Sequence, residues 1–247
     1  MSAVEFRNVH FRIGDRTILN SLTLSVEPGE TLVLLGRSGS GKTTALRLIN
    51  GMILPSSGEI HVDGRSTVEW DRVRLRRGIG YVIQEGGLFP HFTVERNIGL
   101  VPRLQGWPET KITARVTTLL KSVNLAAADF ARRLPRELSG GQRQRVGVSR
   151  ALAADPKILL FDEPFGALDP VTRLDLQREF LRLRAEFGKT SVFVTHDVQE
   201  AMKLATRIAL LHEGNLAFIG TPAEFESSRH PEARAFLDVL HEARRAE

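Results

Sequence analysis

The sequence predicts an α/β fold, with a mostly parallel sheet covered by helices, an N-terminal antiparallel β subdomain and a helical subdomain inserted in the middle. Three observations carry this expectation. Continuous apolar runs such as TLVLLG (31–36), ILLFD (158–162) and SVFVT (191–195) have the make-up of strands buried on both faces, and they alternate with helical stretches. The opening segment instead alternates apolar and polar residues, as antiparallel strands do. From about residue 90 to 155 the apolar spacing becomes helical, and no strand candidates occur.

Taken in order, Val9, Phe11 and Ile13 fall on one face, and Leu22, Leu24 and Val26 repeat the pattern before a Pro28-Gly29 turn. Two antiparallel strands are predicted there. The run at 31–36 ends in glycine, and KTTALRLIN after it reads as a helix closed by Gly51. Further short strands are expected at EIHV (59–62) and GYVI (80–83). Ile112, Val116, Leu119, Leu120 and Val123 then form one apolar helical stripe. After residue 206, RIALLHEGNLAFIG predicts a hairpin turning at Gly214-Asn215, and the tail from Pro231 predicts a helix. The expected organisation is a single domain over 1–247. Its α/β core comprises 1–89 and 156–220, the helical subdomain covers 90–155, and a helical tail covers 221–247.

At 247 residues, with 42% hydrophobic and 26% charged residues, the composition is ordinary for a globular chain. No run approaches the roughly 18 consecutive apolar residues of a membrane span, so a soluble chain is expected. The N-terminal MSAVEFRNVHFRIGDR carries charges where a secretory signal needs an apolar block, and a cytoplasmic location is expected. Zero cysteines exclude disulfides, thiolate zinc sites and a cysteine nucleophile. The formal charge of +5 would suit nucleic acid or an anionic membrane surface, but the arginines are scattered in pairs such as Arg76-Arg77 and Arg132-Arg133. No nucleic-acid partner is expected.

Gly36-Arg37-Ser38-Gly39-Ser40-Gly41-Lys42-Thr43 fits GxxxxGK[ST] at every required position, between a predicted strand and a predicted helix. The glycines let backbone amides turn toward a polyphosphate, and the helix presents its positive end. Lys42 reaches the outer phosphates and the Thr43 hydroxyl binds Mg²⁺, with Thr44 beside it in the nucleotide-binding set. A glycine-rich turn that only punctuates strand and helix would lack the lysine and both flanks. The motif therefore predicts a P-loop NTPase core binding ATP or GTP.

In ILLFDE, Asp162 and Glu163 stand at the carboxyl edge of a buried strand, where ligands of open α/β sheets bind. Asp162 is expected to hold the Mg²⁺ shell, and Glu163 to accept a hydrogen bond from the attacking water as general base or orienting group. Without the phosphate loop, an ordinary surface acid pair would serve as well. In LSGGQRQRVGVSRALAADP, Ser139, Gly140, Gly141 and Gln142 place a serine and two glycines at a helix N-terminus, exposing amides to an anion. A simple serine helix cap is the plainer explanation of the same residues.

The ordered set is similar to the ABC ATPases over essentially the whole chain. It comprises the phosphate loop, Gln84 after GYVI, Leu138-Ser139-Gly140-Gly141-Gln142, the carboxylates after ILLF, Ala167-Leu168-Asp169, and His196 after SVFVT. That resemblance implies an ATP-dependent head-to-tail homodimer in which the signature of one subunit closes over the γ-phosphate held by the other. It makes Gln84 the switch that senses γ-phosphate and Mg²⁺, Asp169 the cross-dimer contact and His196 the γ-phosphate partner. One departure stands out: Ile13 precedes Gly14 where the family usually stacks adenine on an aromatic residue, which implies weaker stacking. Phe11 shares the Ile13 face, where core packing is expected.

The same resemblance implies a separate integral membrane permease, docked on a groove at roughly 85–99. Leu88, Phe89, Pro90 and Phe92 would supply its apolar surface or simply pack the core. The chain would then sit on the inner face of the cell membrane. The stretch IGYVIQEGGLFPHFTVERNIGLVPRLQGWP resembles ATPases of bacterial importers for glycine betaine, carnitine, choline or proline, which work with a substrate-binding protein. Importers of other small solutes, and non-transport ABC ATPases acting on DNA or ribosomes, are the alternatives. The latter usually carry coiled-coil or zinc insertions, which are missing here. A binding module with little turnover would lack the catalytic carboxylate, and Glu163 is present.

Overall fold

The structure is a computed structural model that describes residues 1–246, excepting the side chains of 85, 86 and 243–246. Glu247, the end of the expected helical tail, lies outside the described residues. A long hairpin, β1 (Val4–Ile13) and β2 (Arg16–Val26), opens the chain and leads to β3 (Thr31–Leu35) and α1 (Lys42–Ile49). A second antiparallel pair, β4 (Ser57–Val62) and β5 (Arg65–Ser66), continues through α2 (Arg72–Arg77) to β6 (Ile79–Val82). After a 3-10 turn at Gln84–Gly87 come α3 (Val94–Leu104), α4 (Glu109–Ser122), α5 (Ala127–Phe130) and α6 (Gly140–Leu152). Next follow β7 (Ile158–Asp162), α7 (Pro170–Phe187), β8 (Thr190–Thr195) and α8 (Val198–Leu204). The chain finishes with β9 (Arg207–His212), β10 (Asn215–Gly220), α9 (Pro222–Glu226) and α10 (Pro231–Ala246).

These elements form two compact units, one from Met1–Leu75 with the chain from Thr190 onward, the other Arg76–Lys189. In the first, β2-β1-β4-β5 make an antiparallel sheet. In a separate sheet β3 pairs in parallel with β8 on one side and β9 on the other, while β10 runs antiparallel to β9. Every residue of β3 and β8 is buried, which is why both read as unbroken apolar runs.

The N-terminal hairpin departs from simple alternation. Leu22, Leu24 and Val26 are buried as expected, but on β1 the buried residues are Val4, Phe6 and Val9. Asn8 between the last two has φ 50, and the β1–β2 register shifts at that point and again on either side of Phe11. Each bulge rotates the strand. Phe11 is consequently only half-buried and Ile13 is 64% exposed, so the face they share is not the packed one expected for Phe11. The C-terminal hairpin turns at Glu213-Gly214, one residue earlier than expected. His212 pairs with Asn215, and the two turn residues have φ 49 and 78, the positive pair that a two-residue type I′ turn demands.

In the second unit β6 and β7 pair in parallel, Ile79 with Ile158 through Val82 with Phe161. Ile112, Val116, Leu119, Leu120 and Val123 are all buried, forming the core of the helical segment. Phe161 meets Phe180 edge to face at 5.1 Å. Between α6 and α7, Arg145 lies 3.4 Å from Glu179, whose side chain is only 6% exposed. Burial pushes the Glu179 carboxyl above its ordinary range, outweighing the opposing pull of Arg145.

Leu120→Ala should lower the unfolding free energy by about 2–5 kcal/mol, whereas Leu104→Ala on the exposed side of α3 should cost about 0.5 kcal/mol or less. Urea unfolding compares them, and equal losses would show that the stripe is not the core. The raised Glu179 pKa favours the protonated folded form, so its contribution is full below about pH 4.3 and is lost as pH rises through the folded pKa. Glu179→Gln, which cannot titrate, should therefore gain stability relative to the native chain as pH rises above the ordinary glutamate value of about 4.3. Thermal unfolding at a series of pH values tests this, and a pH-independent difference contradicts it.

Candidate functional site

The loop from Gly36 to Gly41 joins β3 to α1 in the first unit. A Cβ on Gly36 would run into the carbonyl oxygen of Leu211 and lie 2.6 Å from Ser40 Oγ, so only glycine lets the loop approach β9 this closely. Lys42, 5% exposed, turns its ammonium back into the loop, where Nζ donates to Gly36 O at 2.7 Å and to Arg37 O at 2.8 Å. Gly41 caps α1 in a left-handed conformation, φ 100. Ser40 is also only 5% exposed, and among the described residues its Oγ finds no hydrogen-bond partner. A hydroxyl left in that condition costs about 1–3 kcal/mol, and a polar ligand in the loop would relieve it. Arg37, Ser38 and Gly39 are exposed, while Thr43 and Thr44 are half-buried.

Beside the loop lies a cavity of about 460 Å³, bordered by Arg16, Thr17 and Ile18 of β2, by Arg37–Ser40, and by the β9–β10 turn. Its rim is ionic: Glu232 at the start of α10 lies 3.4 Å from Arg37 and 3.3 Å from His212. His196 follows β8 and is exposed, which argues against a packed structural histidine. The turn carrying it is fixed by Thr195 Oγ1, which accepts from Asp197 N at 3.0 Å and donates to Glu200 at 2.7 Å. Asp197 in turn caps α8, accepting from Gln199 N and Glu200 N.

In the second unit Asp162 and Glu163 stand half-buried at the carboxyl end of β7. Tyr81 OH donates to Asp162 Oδ2 at 3.1 Å from the neighbouring strand. Glu163 has φ 46, a left-handed backbone costing on the order of 1–3 kcal/mol for a residue other than glycine. Strain of this kind is typical of functional positions. Gln84 opens the 3-10 turn after β6 and is exposed. The point where a Cβ on Gly166 would sit is 3.6 Å from Gln84 Nε2 and 3.8 Å from Glu163 Oε2, so those two side chains converge there.

Ser139 does cap α6. Its Oγ accepts from Gln142 N at 3.3 Å while Gln142 Oε1 accepts from Ser139 N at 2.9 Å, a reciprocal capping box. Asp169 caps α7, accepting from Thr172 N at 3.0 Å, and this bond holds its carboxyl below the usual range. The two helix starts are packed together: a Cβ on Gly141 would stand 2.6 Å from Thr172 Cγ2, and one on Gly140 3.6 Å from Leu168. Ser139 and Asp169 are therefore presented, both exposed, at adjoining N-termini.

The structure thus gathers the expected residues into three groups. Gly36–Thr44 form the loop of the first unit, Gln84, Asp162 and Glu163 stand at the ends of β6 and β7, and Ser139–Gln142 adjoin Asp169; His196, after β8 in the first unit, belongs to none of the three. Sequence reasoning missed Tyr81, since only the β6–β7 register, with Tyr81 opposite Leu160, brings it to Asp162.

The ABC transporter family matches residues 19–166. The chain is 53% identical over 211 residues to the glycine betaine/carnitine/choline transport ATP-binding protein of Bacillus subtilis (strain 168), covering 85% of this chain and 55% of that one. It is 50% identical over 206 residues to the osmoprotectant import ATP-binding protein of Salmonella typhimurium, covering 83% of this chain and 54% of the relative. The chain spans about half the length of these curated relatives. Among solved structures it is similar to a dimeric ATP-binding cassette in a post-hydrolysis state bound to ADP and Pi, with TM-score 0.79 and 34% identity over 89% of this chain and 98% of that one. The family match over residues 19–166, with these likenesses in sequence and structure, leads to one conclusion: the chain belongs to the ABC transporter family.

Proposed function

We propose that the chain binds and hydrolyses Mg²⁺-ATP as one half of a head-to-tail homodimer, and that this drives a membrane permease importing quaternary ammonium osmolytes. The observation that carries the ATP reading is the loop itself, a glycine cradle around Lys42 with the unpartnered buried hydroxyl of Ser40. Gly36, Arg37, Ser38, Gly39, Ser40, Gly41, Lys42, Thr43 and Thr44 are the phosphate-binding set. Among the described residues no cluster of three His, Cys, Asp or Glu side chains could hold a metal alone. This suits Mg²⁺, which takes one or two carboxylates and completes its shell with nucleotide oxygens and water. The hard oxygens of Thr43, Gln84 and Asp162 would hold it, and once bound it neutralises charge on the phosphates.

Glu163 accepts a proton or hydrogen bond from the water that attacks the γ-phosphorus, as the bond to the bridging oxygen breaks. Tyr81 fixes the Asp162 carboxylate through its 3.1 Å bond. His196 and Gln84 meet the γ-phosphate end, and Ser139, Gly140, Gly141 and Gln142, with Asp169, act on the nucleotide held by the partner subunit. The osmolyte reading rests on the transport named for the two relatives. Among the described residues no helix is long and apolar enough to cross a membrane, which supports a separate permease. A substrate-binding protein and a position on the cytoplasmic face of the membrane complete the proposal. The aromatic turn at Phe89–Phe92, with Phe89 42% exposed, is its docking surface for the permease.

Glu163→Gln should cut ATP hydrolysis by about 10²–10⁴-fold while ATP affinity is retained; native-like turnover would remove Glu163 from its role. Ser139→Arg should leave nucleotide binding to the monomer intact and abolish the ATP-bound dimer on size-exclusion chromatography. A dimer that persists in that variant contradicts the composite site. Co-purification from the source cell tests the whole: a polytopic permease that changes the ATPase rate supports transport, and stimulation by DNA or ribosomes without a membrane partner refutes it.

A further inference from the structure

The cavity beside the phosphate loop is bordered by the start of α10, a helix that no phosphate-binding motif includes. Charged groups reach its lining from separate elements: Arg16 on β2, Arg37 in the loop, His212 and Glu213 where β9 turns into β10, and Glu232 on α10. A single oxygen, Glu232 Oε2, takes two of these partners, lying 3.4 Å from Arg37 Nε and 3.3 Å from His212 Nδ1. Ser40, whose buried Oγ has no partner among the described residues, borders the same cavity. A polyphosphate that satisfies Ser40 therefore comes to rest beside the Arg37–Glu232 pair.

The two members of that pair differ in freedom. Glu232 sits on a docked helix: Ala233, Leu237 and Leu240 of α10 are buried, and Glu232 N donates to His230 Nδ1 at 3.2 Å. The Arg37 backbone is fixed as well, because its carbonyl accepts from Lys42 Nζ at 2.8 Å and from Ser40 N at 3.2 Å. Its side chain is long and 65% exposed. The guanidinium can thus leave Glu232 without disturbing the loop, and phosphate oxygens offer it the same planar two-oxygen recognition at higher charge. His212 then remains beside the carboxylate.

We infer that Glu232 is a positioning residue that competes with the nucleotide from inside the protein: its carboxylate holds Arg37 off the phosphate loop, and a bound polyphosphate takes Arg37 over, so α10 helps to set the affinity of the loop. This rests on the polyphosphate-binding role proposed above for Gly36–Thr44. The competition is mild, since an ion pair this exposed gains little over its hydrated parts. It is also blind to the base, because Glu232 acts through Arg37 and on the phosphates alone.

The test measures binding of ADP, a non-hydrolysable ATP analogue and inorganic tripolyphosphate, each with Mg²⁺, to the full chain by titration calorimetry. Glu232→Gln and Arg37→Gln are combined in a double-mutant cycle. All the variants should unfold cooperatively, as neither side chain lies in the core. Glu232→Gln should lower Kd for all three ligands by about three-fold, and by less than about 1.5-fold where residue 37 is already glutamine. A merely structural role of Glu232 would not show that dependence on Arg37. An equal gain in both backgrounds overturns the inference, since it leaves Glu232 a remote negative charge that acts without Arg37. Absence of any gain in the native background overturns it as well. A gain for the nucleotides that tripolyphosphate lacks does so too, and places Glu232 at the nucleoside instead. A native chain that binds none of the three ligands removes the phosphate-loop reading and the competition with it. Should Glu232→Gln fail to fold, Glu232→Asp, whose carboxylate is one methylene short of Arg37, takes its place in the cycle.

Discussion

An ammonium group withdrawn almost wholly from water must be met by oxygen atoms, and the phosphate loop is organised around that demand. Lys42 is 5% exposed and donates to two consecutive carbonyls, Gly36 and Arg37. Those carbonyls can converge on one nitrogen only if the loop folds sharply, and the fold is sharp because Gly36 has no Cβ to strike Leu211. Leu211 belongs to β9, which holds its place by pairing with β3, the strand that delivers the loop. The buried strands, the glycines and the lysine are therefore one arrangement. Strands that cannot move fix where the loop begins, and the lysine fixes how it closes.

The second unit solves a different problem, presenting several polar groups from separate elements at defined places. It relies on strand ends and helix starts, where backbone groups are unpaired and side chains gain by capping them. Asp162 and Glu163 stand where β7 ends, with Tyr81 reaching across from β6. Ser139 and Asp169 each cap a helix, and the two helices are spaced by the contact of Gly141 with Thr172 and by the Arg145–Glu179 pair. In the proposed composite site, capping and ligand binding would be compatible because both use the same positive end of the helix.

What could be read from the sequence was whatever local composition alone decides. Strands buried on both faces must be apolar throughout, so β3, β7 and β8 are visible as runs, and the α4 stripe is visible because a helix has one inner face. The phosphate loop and signature are visible because glycines and a lysine at fixed spacing have few other uses. Misreadings arose where the backbone departs from its period. Asn8 at φ 50 breaks the alternation of β1 and leaves Ile13 in solvent, and nothing in VEFRNVHFRI marks that bulge. The Glu213-Gly214 turn was displaced by one residue because glycine fits the second turn position as readily as the first. Tyr81 and Glu232 were invisible for a further reason: their partners, Asp162 and Arg37, are distant in sequence, and no local pattern records the pairing.

The exposed Ile13 bears on how a nucleotide would be recognised. Stacking a base on an aromatic ring is worth about 1–3 kcal/mol and is the main grip on a base that lacks hydrogen-bonding neighbours. Isoleucine at 64% exposure offers apolar contact without a π face. The cavity beside the loop has arginines at 16 and 37, but Arg37 is turned toward Glu232 at 3.4 Å. In the proposed ATPase the free energy of binding is therefore concentrated at the phosphates, where Lys42, the loop backbone and the N-terminus of α1 converge. A site weighted in this way distinguishes the length and charge of the phosphate chain more sharply than the identity of the base. Such a site would suit the proposed subunit, whose two states would differ by the presence of a γ-phosphate.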